Sequence, residues 1–267
     1  MSHDVLTIEK RGPVDRVTMN RPEVLNALDG ELIESLAAYF EGLYREHETR
    51  IVVLAGAGRG FCAGADLGGG TLAGGGDMGP VQTAMRMQRR IGDIYRAMRR
   101  CPQPIISLIH GAACGGGLSL ALASDIRIAG PKAKMNAAFI RIGLTACDMG
   151  SSYFLPRLVG LSMASELLLT GRFVEAEEAR AIGLVSRLVD DGELDATAQE
   201  YVDLMLDTSP MGLRLTKEAL GHAVDAPSLD AAMAMEDRQQ ILTLQTADHR
   251  EAIGAFFEKR SPKFEDR

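Results

Sequence analysis

Apolar and polar residues alternate over two short segments near the N-terminus, residues 6–9 and 16–19, which flank Gly12-Pro13. A period of two is typical of β-strands with one buried face, and a Gly-Pro pair marks a turn. The pattern therefore predicts an opening β-hairpin.

Two uninterrupted apolar runs follow, at residues 51–54 and 105–109, and each ends close to glycines. A short run that is apolar throughout is typical of a strand buried on both faces, as in a parallel sheet. Further short strands are predicted at residues 126–129 and 184–189.

Other segments carry apolar residues at helical spacing. One such helix follows Asp29, a residue type that caps helix N-termini, and a second spans about residues 87–98, with arginines on the side that we interpret as facing solvent. From about residue 195 onward the whole pattern is helical. Strands that alternate with helices predict an α/β fold with a helical C-terminal region, divided here into residues 1–194 and 195–267.

The composition limits the classes of protein to which the chain can belong. Of its 267 residues, 46% are hydrophobic and 24% are charged, as in ordinary globular proteins. The net charge of −7 disfavours general nucleic-acid binding, and no apolar run reaches the roughly 18 residues that a membrane span needs. The cysteines are widely spaced, the histidines lack the spacing of metal ligands, and the N-terminus lacks a signal-peptide core. We therefore predict a cytoplasmic protein without a metal site and without nucleic-acid or membrane partners.

Two junctions carry the first indication of chemistry, because in each a predicted buried strand runs into a glycine-rich turn. They lie at residues 51–67 and 105–119. Glycines leave backbone N–H groups uncovered, and a helix start adds a partial positive charge. Two such amides aimed at one point would stabilise a developing negative oxygen, so the junctions are a candidate oxyanion hole.

A dinucleotide-binding site is the alternative, because residues 58–63 match the pattern GxGxxA after a strand. The residues that follow are too rich in glycine for the packed helix that such a site requires. The acidic residue about 20 positions farther on, Asp77, falls in a predicted loop at residues 68–79. We therefore favour the oxyanion interpretation.

Several sequence blocks, in order along nearly the whole chain, resemble the enoyl-CoA hydratase/isomerase (crotonase) family. The blocks lie at residues 20–28, 60–67, 111–121, 155–160, 170–179 and 183–185, and the tail at residues 255–262 resembles the closing helix of the family. Each block alone is a weak signal, but their order and spacing are specific.

This resemblance implies a spiral of β-β-α units with C-terminal helices that mediate trimers, commonly paired into hexamers. It implies an acyl-CoA thioester substrate with no separate cofactor, and it places the amides of Ala65 and Gly116 at the thioester oxygen. Two residues of the C-terminal region would reach coenzyme A from a neighbouring subunit. The full set that the resemblance assigns to coenzyme A binding is Val24, Ala27, Ala63, Ala65, Asp66, Leu67, Gly68, Phe256 and Lys259.

The chain departs from the family at the two glutamates with which hydratases position water and move a proton. The corresponding positions here hold Ser119 and Phe139. A serine hydroxyl can position water but is a poor base, and a phenylalanine can do neither. Phe139 and Met149 are predicted instead to line an apolar acyl pocket.

One carboxylate, Asp148, lies a few residues beyond the second of these positions. With a one-residue gap, its surroundings resemble those of aspartates in the dienoyl-CoA isomerases and the aryl-CoA dehalogenases. Asp148 would act as a base that removes a proton or as a nucleophile on an acyl group. The alternative role is the N-cap of a helix that begins near Met149.

Three hypotheses of function follow from these observations. The first is hydratase (lyase) or, next, isomerase chemistry on a 2-enoyl-CoA, with Ser119 and Asp148 in place of the usual glutamates. The second is dehalogenase-like or thioester-hydrolysing chemistry with Asp148 as nucleophile. The third is a non-catalytic CoA-binding or RNA-associated protein, which the loss of both glutamates suggests and the acidic net charge disfavours for RNA.

Overall fold

The computed structural model describes residues 4–68 and 79–267. Its first element is the predicted hairpin, in which β1 (Leu6–Arg11) and β2 (Val14–Met19) pair antiparallel. Gly12 turns between them with a φ of +61°, a left-handed backbone that glycine adopts without steric cost. The hairpin prediction is confirmed. Of the loop predicted at residues 68–79, residues 69–78 lie outside the described residues.

The remaining described strands extend one large sheet and build a small one. They are β3 (Ile51–Gly56), β4 (Ile105–Ile109), β5 (Ala112–Cys114), β6 (Ile126–Ala129), β7 (Lys134–Asn136), β8 (Val174–Glu175) and β9 (Arg187–Leu188). The large sheet has the order β1-β2-β3-β4-β6-β9 and is parallel after its first pair. The small sheet has the order β5-β7-β8. The predicted strand at residues 184–189 is shorter than expected.

The reason for that short strand is a turn that precedes it. The amides of Leu184 and Val185 both donate to the carbonyl oxygen of Ala179, at 2.8 and 3.2 Å, so these two residues close a helix end and cannot join a ladder. Their side chains are buried in the core all the same. Apolar runs of this length do not distinguish a strand from a buried turn.

Ten helices in the described ranges cover these sheets. They are α1 (Gly30–Leu43), α2 (Pro80–Arg100), α3 (Gly116–Ala123), α4 (Ser151–Val159), α5 (Leu161–Thr170), α6 (Ala176–Ala181), α7 (Leu194–Leu206), α8 (Pro210–Ala223), α9 (Leu229–Leu244) and α10 (Ala247–Glu258). As predicted, Asp29 caps α1, because its side chain accepts a hydrogen bond from the amide of Leu32 at 2.9 Å. None of these helices has the length and continuous hydrophobicity of a membrane span.

The chain path repeats a strand–strand–helix unit. β4 enters the large sheet, β5 then enters the small sheet, and α3 follows; β6 and β7 repeat the same step. After β3 the chain forms no full strand at the small sheet. It makes a single parallel bridge there, between Cys62 and Ala113, before α2. The structure therefore confirms the predicted α/β spiral of β-β-α units with a helical C-terminal region.

Both faces of the large sheet are buried, as the continuous apolar runs predicted. Val52 and Leu54 face the core beneath α1, α2 and α3, whereas Ile51 and Val53 face a second core on the other side. The second core is closed by α7, which buries Leu194 there. The first helix of the C-terminal region thus packs on the sheet; a division of the chain between residues 194 and 195 stays a prediction.

A buried lysine attaches α8 to the end of α2. The side chain of Lys217 is 5% exposed, and its ammonium group forms an ion pair with Asp125 at 2.9 Å. The same group donates to the carbonyl oxygens of Met98 at 3.1 Å and Gln103 at 2.7 Å. Asp125 is also paired with Arg99, and its carboxylate accepts from the backbone amide that starts β4. These groups connect the C-terminal helices to the core.

The substitution Lys217→Met is expected to lower the free energy of unfolding by about 2–3 kcal/mol. Two buried carbonyl oxygens would lose the ammonium group and keep only the weak thiol donor of Cys101, whereas Asp125 would keep Arg99 as its partner. Urea denaturation measures the difference. The matched control is Lys132→Met, which removes an exposed lysine–aspartate pair that solvent screens, so a much smaller loss of stability is expected. Equal effects of the two substitutions would contradict the prediction.

Candidate active site

The two glycine-rich junctions lie side by side because one parallel bridge holds them together. The amide of Cys62 donates to the carbonyl oxygen of Ala112 at 2.9 Å, and the amide of Cys114 donates to that of Cys62 at 3.0 Å. This bridge pairs Cys62 with Ala113. Residues three positions farther along each chain segment are Ala65 and Gly116. The register of the bridge therefore brings these two residues to the same level.

The N–H of Ala65 is turned toward the second junction. On the other side, Leu28 donates to the carbonyl oxygen of Gly64 at 2.7 Å and accepts from the amide of Asp66 at 3.0 Å. Leu28 is paired with Ala65 in a parallel bridge, and in such a bridge Leu28 bonds to the residues on either side of Ala65, not to Ala65 itself. The N–H of Ala65 therefore points away from Leu28. Within residues 4–68 and 79–267, this amide donates no hydrogen bond.

Gly116 supplies a second free amide at nearly the same point. It is the first residue of α3, and the N–H groups of a first helical turn have no acceptor within the helix. Gly115 precedes it with a φ of +51°, which turns the backbone sharply into the helix. The amide nitrogen of Gly116 lies 3.4 Å from the position that a Cβ on Gly64 would occupy. Two free amides this close together are candidate donors to a single oxygen.

The two junctions can approach each other closely only because residue 117 is a glycine. A Cβ on Gly117 would lie 2.0 Å from the carbonyl oxygen of Cys62, which is backbone and cannot rotate away. We expect Gly117→Ala to lower the free energy of unfolding by roughly 1–3 kcal/mol and to abolish the register of the two amides. Thermal unfolding checks the first effect, and turnover checks the second.

The control for that substitution is Gly30→Ala. Gly30 lies in the first turn of α1, and a Cβ there would meet no heavy atom within 4 Å. An alanine at this helical position is expected to be neutral or slightly stabilising. A neutral effect of Gly117→Ala would mean that the two junctions are not packed as closely as described.

A buried tyrosine from α2 contacts the second junction. The Tyr95 hydroxyl donates to the carbonyl oxygen of Gly116 at 3.1 Å and lies 3.1 Å from the sulfur of Met149. Burial raises the pKa of Tyr95 well above its usual value, with the nearby Cys62 and Asp148 adding to the shift. The phenol is therefore a protonated donor at neutral pH and not a base.

Asp148 lies next to this contact, with one carboxylate oxygen held and the other free. Its Oδ1 accepts from the amide of Met149 at 2.7 Å and from Nε2 of Gln88, on α2, at 2.5 Å. Its Oδ2 accepts no hydrogen bond from the described part of the chain. The carboxylate borders a cleft of about 1930 Å³ that Gln88, Tyr95 and Met149 also line. The cleft does not extend to Ala65 or Gly116.

The interpretation of Asp148 as a helix N-cap is wrong. The following helix, α4, begins at Ser151 after Gly150, and no side chain caps it. Met149 and Gly150 both have left-handed backbone, with φ of +49° and +83°. These two residues turn the chain between Asp148 and the helix, so the carboxylate instead bonds to the amide of the next residue.

Ser119 ends the second junction, and Phe139 packs against it. The amide of Ser119 donates to the carbonyl oxygen of Gly115 at 3.0 Å, one helical turn back. The Ser119 hydroxyl is fully buried and has no hydrogen-bond partner among the residues that the structure describes. The Phe139 ring lies 3.4 Å from the position that a Cβ on Gly115 would take. Neither side chain supplies a carboxylate here.

The structure also brings together the two segments that the resemblance assigned to coenzyme A binding. The amide of Ala63 donates to the carbonyl oxygen of Leu25 at 2.9 Å, so residues 24–28 and 63–66 run alongside each other. Arg21 connects them, because its guanidinium donates to the carbonyl oxygen of Ala27 and pairs with Asp66 at 3.1 Å. Within this region, some predicted residues are exposed and others are not. Val24, Leu67 and Gly68 are exposed, Ala63, Ala65 and Asp66 are partly buried, and Ala27 is buried.

Two predicted residues are not brought to these segments by the single chain. Phe256 is 77% exposed near the end of α10, and Lys259 follows that helix in left-handed backbone and is exposed as well. Across the described ranges, no hydrogen bond or ion pair connects either residue with residues 24–28 or 63–68.

The cysteines near the junctions are thiols and not nucleophiles. Burial raises the pKa of Cys62 to about 12 and that of Cys114 to about 11. Because the thiolate is the reactive form, neither cysteine is activated at neutral pH. The geometry therefore offers two free amides and one partly buried carboxylate, which is connected to Gly116 through Met149 and Tyr95.

The sequence pattern does not identify Gln88 or Tyr95 as site residues. Apolar periodicity assigns Tyr95 to the buried stripe of α2 and does not single out Gln88. The available signal is position: Gln88, Ile91 and Tyr95 are spaced i, i+3 and i+7 and so share one helix face. A polar residue on an otherwise apolar face indicates a specific partner.

Comparison with known proteins places this arrangement in one family. Residues 9–267 match the profile described as enoyl-CoA hydratase/isomerase. The chain is 41% identical over 264 residues to the Mycobacterium tuberculosis protein named "Probable enoyl-CoA hydratase EchA12", covering 98% of this chain and 93% of that protein. It is 36% identical over 265 residues to the Escherichia coli protein named 1,2-epoxyphenylacetyl-CoA isomerase, covering 99% of each. A solved enoyl-CoA hydratase from Bacillus anthracis has a TM-score of 0.91 and 32% identity, covering 98% of this chain and 100% of that one.

Proposed function

This chain belongs to the enoyl-CoA hydratase/isomerase family, and from that premise we propose that it moves a proton on the acyl group of a coenzyme A thioester. The amides of Ala65 and Gly116 stabilise the enolate oxygen, and Asp148 transfers the proton. The observation that carries the proposal is that Oδ2 of Asp148 accepts no hydrogen bond from the described residues. Asp148 is also connected to Gly116 by a series of contacts through Met149 and Tyr95.

The chemistry requires both parts of the site. A proton on the carbon next to a thioester carbonyl becomes acidic only when the negative oxygen of the enolate is stabilised. Each donor of an oxyanion hole contributes about 2.7–4 kcal/mol to that stabilisation, and a positioned base contributes a further factor of about 10²–10⁴ in rate. Two backbone amides and one carboxylate are sufficient for proton abstraction.

Isomerisation fits this site better than hydration. Hydration needs one group that orients water and another that delivers a proton, and Ser119 and Phe139 occupy the two positions that glutamates hold in the hydratases. Isomerisation needs a single base that removes a proton from one carbon and returns it to another, which Asp148 can do alone. The E. coli relative is also named an isomerase, although the substrate in its name is an epoxide and not an enoyl thioester. Hydration is the second candidate, supported by the names of the mycobacterial and Bacillus relatives.

Coenzyme A is proposed to bind along residues 24–27 and 63–68, as part of the substrate and not as a separate cofactor. Phe256 and Lys259 would reach it from a second copy of the chain in a homotrimer or homohexamer. In support, α9 buries no residue in the single chain, and it exposes large apolar side chains together with α10. Apolar surfaces of this kind are typical of protein–protein contacts.

The test uses two substrates whose reactions change the conjugated enoyl absorbance in opposite directions. Isomerisation of a 3-enoyl-CoA to a 2-enoyl-CoA raises this absorbance, and hydration of crotonyl-CoA lowers it. We expect a rise with the 3-enoyl-CoA and, in deuterated water, deuterium in the acyl chain of the product. Loss of absorbance with crotonyl-CoA alone would favour the hydratase. A covalent ester on Asp148 would favour a nucleophilic role, and failure of both thioesters to bind below about 1 mM would contradict the proposal.

A further inference from the structure

Helix α2 carries two hydrogen-bond donors that reach different parts of the proposed site. Gln88 donates to the carboxylate of Asp148, and Tyr95 donates to the carbonyl oxygen of Gly116. The two donors are seven residues apart, which is two turns and about 10.5 Å along a helix axis. We infer that α2 sets the spacing between the proton-transferring carboxylate and the oxyanion amide, with Gln88 and Tyr95 as positioning residues. This inference rests on the proposed function.

Gln88 restricts the orientation of the Asp148 carboxylate, which has only one hydrogen bond within its own segment. Asp148 lies in a turn before two left-handed residues, and its side chain otherwise bonds only to the adjacent amide of Met149. The glutamine comes from an element 60 residues away in sequence and binds the same oxygen, Oδ1. Oδ2 is thereby left as the carboxylate oxygen without a hydrogen bond from the described residues.

Tyr95 connects the turn that contains Asp148 with the oxyanion turn. Its hydroxyl lies 3.1 Å from both the carbonyl oxygen of Gly116 and the sulfur of Met149. A Cβ on Gly116 would lie 3.1 Å from that hydroxyl, 3.1 Å from the Met149 sulfur and 2.8 Å from a methyl group of Leu28. The three groups therefore pack against the first residue of α3 and leave little room for it to move.

The helix itself is fixed well enough to act as a support. Ile91, Ile94 and Met98 anchor its inner face in the main core. On its outer side, Arg90 pairs with Glu34 and Glu41 of α1, at 2.7 Å in both cases. Both donors therefore come from one element that is held at several points. A displacement of about 1 Å in reacting groups can cost on the order of 100-fold in rate.

The experiment compares Gln88→Met and Tyr95→Phe with the wild-type protein in the isomerisation and deuterium-incorporation assays. Both substitutions keep the size of the side chain and remove the donor. We expect kcat to fall roughly 10–100-fold while KM changes less than about 3-fold. The thermal midpoint is expected to stay the same for Gln88→Met and to fall by only about 2–4 °C for Tyr95→Phe, which removes one buried hydrogen bond. Gln82→Met, on the exposed first turn of the same helix, is the matched control.

Two further outcomes separate this inference from the proposed function. If Asp148→Asn keeps wild-type turnover, the proposed role of Asp148 fails, whatever Gln88 does. If Asp148→Asn is impaired but Gln88→Met and Tyr95→Phe are not, the proposed function stands and the spacing role of α2 is overturned. The spacing role is also overturned if the two variants lose turnover only in proportion to a lowered thermal midpoint, because that is the result of a purely structural role.

Discussion

Asp148→Asn is expected to lower kcat for the acyl-CoA substrate by about 10²–10⁴-fold, with KM changed far less. The amide has nearly the same shape as the carboxylate and can still accept from Gln88 and from the amide of Met149. What it loses is the negative charge and the basic Oδ2, the oxygen that accepts no bond from the described residues, in a residue that borders the cleft. The measurement is initial-rate kinetics in the isomerisation assay, with deuterium incorporation as a second readout.

Asp93→Asn is the matched control for this substitution. Asp93 lines the same cleft from α2, and its carboxylate forms a partly exposed ion pair with Arg96. This substitution removes one negative charge from the cleft, so it tests whether turnover depends only on the net charge there. We expect little change in turnover. Equal losses in both variants, or full activity of Asp148→Asn, would show that Asp148 is not the base.

Asn26→Asp is expected to lower the free energy of unfolding by on the order of 4 kcal/mol at neutral pH. Asn26 is fully buried, and its Oδ1 accepts from the amide of Arg21 at 2.9 Å. Its Nδ2 donates to three carbonyl oxygens of the first glycine-rich junction, those of Ala57, Gly60 and Phe61, at 2.9, 2.8 and 3.2 Å. An aspartate would direct an oxygen at these three acceptors and leave them without a donor.

The effect of Asn26→Asp should depend on pH. Burial among carbonyl oxygens raises the pKa of an introduced carboxyl above its unfolded value of about 3.9, because the charged form is disfavoured. The folded variant therefore binds more protons than the unfolded chain. Relative to the wild type, the stability of the variant is greatest below about pH 4. This relative stability falls by up to about 1.4 kcal/mol per pH unit as the pH rises toward the folded pKa. Urea denaturation at about pH 5 and about pH 7 measures this slope relative to the wild type.

Asn20→Asp provides the control, because the Asn20 side chain makes one exposed hydrogen bond, to the carbonyl oxygen of Asp4 at 3.1 Å. We expect a change of less than about 1 kcal/mol and no added pH dependence there. Turnover of Asn26→Asp should fall as well, since the junction it holds leads directly into Cys62 and Ala65. A destabilisation of Asn26→Asp no larger than that of Asn20→Asp would contradict the assigned hydrogen bonds.

Local pattern predicted those parts of the fold that nearby residues decide. The hairpin at Gly12, the cap at Asp29 and the buried strands at residues 51–54 and 105–109 each depend on residues within a turn or a strand of one another. The β-β-α repeat, by contrast, has no fixed period in the sequence and became visible only through ordered family blocks. The strand expected at residues 184–189 was too long, because a buried turn has the same apolar composition as a buried strand.

The sequence by itself determined the residue types of the candidate site. These are two glycine junctions, one aspartate, and the serine and phenylalanine that the family resemblance aligns with the hydratase glutamates. The sequence did not decide whether Asp148 caps a helix or acts as a base, because local spacing allows both roles. The tertiary structure decided against the cap through two left-handed residues, and it brought Gln88 and Tyr95 to the site from α2. Those contacts join residues 60 and 21 positions apart, and the distance between such groups depends on how helices pack on the sheets. Side-chain periodicity reports which face of an element is buried, but it does not report which distant residue that face will meet.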